Sequence, residues 1–92
     1  MEKVPAIACK VSRGMFSSER IITVNLPEGR TVSALVDKEY VSVKSEPRSG
    51  ESVDARIKVS IIEEAKDKIL VDLPGTGITN GTRVWVPKSL LK

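Results

Sequence analysis

The nine residues "VDARIKVSI" (53–61) alternate apolar and polar without interruption. Val53, Ala55, Ile57, Val59 and Ile61 fall on one side, and Asp54, Arg56, Lys58 and Ser60 on the other. A period of two over this length fits a strand with one dry and one wet face, and it is incompatible with an amphipathic helix, whose apolar stripe recurs every three to four residues. The charged stretch "EEAKDK" and then "ILVDL" (69–73) follow, where Ile69, Val71 and Leu73 share a side. The pair reads as a hairpin with a six-residue loop. A helix over "IIEEAKDKIL" has the right residue types, since Glu, Ala and Lys favour helix. Extending it backwards would break the alternation, and no capping residue sits near Ile62.

The rest of the chain carries the same signature. "VPAIACKVS" (4–12) turns Ile7, Cys9 and Val11 to one side, and "RIITVNL" (20–26) turns Ile22, Val24 and Leu26 inward. Pro27-Glu28-Gly29-Arg30 is turn chemistry, because proline presets φ and glycine accepts a positive one. "TVSALV" (31–36) returns from it, a polar corner Asp37-Lys38-Glu39 leads into "YVSV" (40–43), and the apolar-free "KSEPRSGES" (44–52) is a surface loop. Short strands at this spacing predict an all-β domain of five to seven antiparallel strands forming a small, partly open barrel. With 92 residues there is one domain, 1–92, and one modest core.

The glycine-rich "PGTGITNG" (74–81) is the obvious place to look for a phosphate loop. A dinucleotide fingerprint needs its third glycine one residue earlier and a helix after it, whose N-terminus stabilises the pyrophosphate. Here "TRVWVP" follows, which alternates as a strand, and no Gly-Lys-Ser/Thr ending is present. Asn80-Gly81 is a turn signal. The segment is read as a connection into a last strand.

Chemistry-bearing residues are few. The chain has no histidine and one cysteine, which removes the commonest general base and any zinc cluster. Cys9 lies on an apolar strand face, as a small hydrophobe would. Glu63, Glu64 and Asp67 are interleaved with Lys66 and Lys68, the pattern of a solvated loop. No enzymatic activity, cofactor or metal is expected. The absence of a long apolar run and the lone cysteine point to a cytoplasmic protein away from membranes.

Binding is the more promising class. The net charge is +3, with 15 basic and 12 acidic residues spread along the chain without a block. Nucleic-acid-binding barrels combine cations for phosphates with aromatics on which bases stack. The aromatics are Phe16, Tyr40 and Trp85. Phe16 lies in the polar loop "SRGMFSSER" (12–20) between Arg13 and Arg20, where it either tucks over the barrel end or awaits a ligand. Trp85 alternates with Val84 and Val86, so either side of that strand can be the buried one. Lys10, Arg56 and Lys58 project from wet faces and form a basic strip if their strands are neighbours. The expected contact residues for single-stranded RNA or DNA are therefore Lys10, Arg13, Phe16, Arg20, Arg56 and Lys58. The alternative is a protein-interaction or assembly domain, with an edge strand open to a partner strand and the Phe16 loop as an apolar anchor.

"GESVDARIKVSIIEEAKDKILVDLP" (50–74) resembles the closing half of the S-one type RNA-binding domain, which also opens with a glycine, an acidic residue and an alternating strand. "EGRTVSALVDKEYV" (28–41) looks like that family's glycine-bearing third strand and the short helical corner after it. The resemblance implies an oligonucleotide/oligosaccharide-binding (OB-like) barrel over residues 4–74 and RNA binding. "IITVNL" and "TVSALV" lack the family's aromatics and histidine, and Gly14-Met15-Phe16 echoes its glycine–aromatic element earlier in the chain. The ending "TRVWVPKSLL" (82–91) is similar instead to Src-homology-type barrels, in which a proline precedes a short turn and apolar residues.

Overall fold

A computed structural model describes residues 5–77 and 83–91, and the described residues are all-β apart from one-turn 3-10 helices. The strands are β1 (Ala6–Arg13), β2 (Glu19–Asn25), β3 (Thr31–Asp37), β4 (Val41–Val43), β5 (Ser52–Lys58), β6 (Ser60–Glu64), β7 (Lys68–Asp72), β8 (Thr76–Gly77) and β9 (Arg83–Pro87). They form two antiparallel sheets, one ordered β4-β5-β1-β2-β3-β8 and one ordered β6-β7-β9. The sheets are not closed into a continuous barrel; among the described residues no ladder joins them, which leaves the barrel partly open.

The seven alternating runs of the sequence are all strands, and two causes raise the count to nine. The long run 53–61 breaks at Val59, whose N–H leaves the ladder to donate to the Pro5 carbonyl at 3.0 Å. One continuous stretch thereby serves both sheets and turns the corner between them. Residues 76–77 add the short β8 to β3. Gly75 makes this possible: its φ is +95°, and a Cβ there would overlap the Leu35 carbonyl oxygen. The first half of "PGTGITNG" is therefore a turn into an edge strand, while Asn80-Gly81 lies outside the described residues.

Turns form where the sequence placed them, with tighter geometry. The β6–β7 connection shrinks to Ala65–Asp67, closed by Ala65 N–H donating to Lys68 O at 2.8 Å, because Glu63, Glu64 and Lys68 join the strands. Gly29, at φ +73°, ends a 3-10 turn between β2 and β3. The polar corner after β3 is the 3-10 helix Lys38–Tyr40, capped by the Asp37 carboxylate accepting from Glu39 N–H at 3.0 Å. Pro87 ends β9, a 3-10 turn Lys88–Leu90 follows, and Leu91 then bridges back to Ile7 of β1.

The core is aliphatic. Ile7, Ile22, Val24, Ile57, Ile69, Val71 and Val86 are fully buried, and no aromatic side chain joins them. Each such side chain stabilises the fold by about 1.5–3 kcal/mol. Cys9 is buried with them, and desolvation pushes its thiol up to about 12. Ile61 departs from the expected pattern: it shares its side with buried Val71, but β6 is a sheet edge and leaves it 37% exposed. Ile62, the extra residue at a bulge opposite β7, is exposed as well.

Candidate nucleic-acid interface

The six cation and aromatic positions named from the sequence do not share one surface. The β1–β5 register pairs Ala6 with Lys58, Ala8 with Arg56 and Lys10 with Asp54, so Lys10, Arg56 and Lys58 do lie on one outward face. Lys10 is already committed there. Its ammonium forms an ion pair with Asp54, and the hydrogen bond and charge of Lys10 hold that carboxyl below its usual range. Arg56 and Lys58 are exposed.

The β1–β2 hairpin end is different. Arg13 pairs with Arg20 two positions beyond the inward pair Val11 and Ile22, which turns both arginines to the core side at the barrel mouth. Arg20 is 8% exposed, and its guanidinium donates to Ser17 O (2.8 Å), Glu19 O (2.7 Å) and the Glu46 carboxylate (3.0 Å). It clamps the hairpin loop to the 44–52 loop, and its donors point at protein acceptors instead of outward. Phe16 does not tuck over the barrel end. It stands 65% exposed beside Met15 at 90%, on a tip braced by Glu19 N–H donating to Phe16 O at 3.0 Å.

The geometry brings a different set together. The β7–β9 register pairs Ile69 with Val86 and Val71 with Val84 on the inner side. Lys68, Leu70 and Asp72 then fall on the outer side of β7, with Arg83 and Trp85 on the outer side of β9. Where this face meets the β2–β3 turn, the open seam between the sheets forms a cleft of about 440 Å³. Leu26, Val32, Val84 and Leu70 supply its apolar lining, Thr31 a hydroxyl, and Arg30, Lys68 and Arg83 its charge. Among the described residues no carboxylate is in its lining. Trp85 is half-buried in it, and the Lys68 ammonium lies 5.2 Å from the centre of its ring.

A cleft with apolar lining that holds Trp85, with Lys68 over its ring and Arg30 and Arg83 in the walls, can hold a flat ring against Trp85 and anionic substituents against the arginines. Among the described residues no group of three or more His, Cys, Asp or Glu side chains could hold a metal ion. Arg30, Lys68 and Arg83 were not singled out in the sequence because each comes from a separate run. The one local signal was the i, i+2 pairing of Arg83 with Trp85, which puts both on one strand face. Among the described residues no helix is long and apolar enough to cross a membrane. Neither a protein-family model, a curated protein nor a solved structure matches the chain, so the cleft's own geometry carries the functional reading.

Proposed function

We propose that the chain is a non-enzymatic binding module for single-stranded nucleic acid, and that the seam cleft is its contact site. The sharing of one cleft by Arg30, Lys68, Arg83 and the half-buried Trp85, with Lys68 over the ring, carries this reading. A base stacks on Trp85, a contact worth about 1–3 kcal/mol, while the cations take phosphates. Lys68 occupies the ring face in the free protein and moves to a phosphate as the base arrives. Three phosphate contacts on a single strand correspond to a slope of log K against log salt near −2. This agrees in ligand class with the S-one type resemblance but uses the seam instead of the second and third strands. We place the protein in the cytoplasm, where a lone thiol such as Cys9 stays reduced.

Trp85 is the single tryptophan, so its emission reports on the site directly. Titration with a mixed-sequence single-stranded octanucleotide, RNA and then DNA, is expected to change that emission at low salt and to weaken steeply as salt rises. An unchanged emission at low salt with both strands overturns the proposal.

The exposed Met15 and Phe16 favour a second reading, an apolar anchor for a protein contact. Concentration-dependent self-association, abolished by Phe16→Ser while oligonucleotide binding persists, would assign the hairpin tip to that role.

A further inference from the structure

We propose that Tyr40 and Lys58 form a second stacking station, so that the ligand is an oligonucleotide laid across both clefts and not a single nucleotide. This rests on the nucleic-acid reading of the seam cleft and specifies its length and path. A second cleft, of about 230 Å³, lies where β5 passes into β6, with Tyr40, Lys58, Ser60, Asp72 and Pro74 in its lining. Tyr40 is 39% exposed, and the Val41–Ile57 pairing of β4 with β5 sets it beside Lys58 at the open end of that ladder. An exposed ring next to an exposed ammonium repeats the chemistry of Trp85 and its cations.

The two clefts are adjacent. Ser60 pairs with Asp72 and Asp72 pairs with Arg83, so the outer side of the small sheet leads from the Tyr40 cleft to Arg83 at the edge of the Trp85 cleft. Outward parity is kept through the corner, because Lys58 and Ser60 flank the buried Val59. Three strand spacings, with two residues from Lys58 to Ser60 and two from Arg83 to Trp85, separate the stations by roughly 15–20 Å. That span suits a strand of about four or more nucleotides. Asp72 lines the Tyr40 cleft and lies opposite Arg83 in the ladder.

A length series of single-stranded oligonucleotides, from dinucleotide to octanucleotide and followed by Trp85 emission, tests this. Affinity is expected to rise from the dinucleotide to the octanucleotide. Tyr40→Ala should weaken the octanucleotide roughly tenfold to a hundredfold and leave the dinucleotide unchanged, whereas Tyr40→Phe should bind like the parent. Length-independent affinity, or Tyr40→Ala and Lys58→Ala curves that superimpose on the parent at every length, would overturn the second station while the Trp85 site stands. An emission unmoved at every length overturns both.

Discussion

The barrel mouth and the seam hold the same residue types in opposite uses. At the mouth the arginine is inside and the aromatic outside: Arg20 is 8% exposed with its guanidinium donating to three protein acceptors, and Phe16 is 65% exposed. At the seam the cations are exposed and the aromatic, Trp85, is half-buried. The two regions show that a cation's availability depends on which acceptors the backbone has already presented to it. Loop carbonyls converge on Arg20 and make it a structural clamp. Arg30 and Arg83 are exposed and line an open seam, Arg30 from the β2–β3 turn and Arg83 from β9.

This contrast predicts opposite phenotypes for chemically identical substitutions. Arg20→Ala removes three hydrogen bonds and the packing of a buried side-chain stem, and should cost about 2–3 kcal/mol of stability in urea unfolding. Arg83→Ala should move that midpoint by less than about 0.5 kcal/mol, yet flatten the salt dependence of oligonucleotide binding by about 0.7 of a unit of slope. If Arg20→Ala unfolds like the parent, the clamp is not one. Gly75→Ala should cost about 1–3 kcal/mol or release β8 from β3, since the new Cβ would overlap the Leu35 carbonyl in a positive-φ backbone. Amide hydrogen exchange at Ala34 and Leu35 distinguishes the two.

Trp85→Phe should keep most of the affinity and Trp85→Ala lose about 1–3 kcal/mol of it, while Phe16→Ala changes neither binding nor stability appreciably. Equal losses at Phe16 and Trp85 would erase the distinction between mouth and seam. Cys9 sets a pH test of the core. Its thiol is raised from 9.0 to about 12 in the fold, so the unfolded chain releases that proton first. Stability from this group is complete below about pH 9 and declines as pH rises toward 12; thiol reagents should label the native protein far more slowly than the unfolded one. The smallest effect belongs to Asp54→Asn. It breaks the exposed Lys10 pair and should leave the unfolding midpoint where it was.

The strands were legible because burial on one side writes a period of two into the chain, and Ile7, Ile22, Val32, Ile57 and Ile69 all face the core as that period requires. The break at Val59 was not legible, since the residue keeps its inward parity and only its N–H changes partner. The site was harder to read for a related reason. A charge in a sequence looks like surface wherever it stands, and Arg20 becomes interior only through carbonyls supplied by Ser17 and Glu19 together with Glu46 from a distant loop. Likewise the seam cleft exists only when the β2–β3 turn meets the β7–β9 pair, a juxtaposition no local pattern records.

The bridge between Ile7 and Leu91 joins residues far apart in the sequence. The hairpin of β1 with β2 is local and can form at once, but the other long ladder of β1 needs β5 and its bridge needs Leu91. Until then an apolar strand remains unpaired along one side, at risk of joining a neighbouring nascent chain. Closure of the fold around β1 therefore depends on contacts of high sequence separation, and conditions that slow aggregation during folding should raise the yield more than those that raise equilibrium stability.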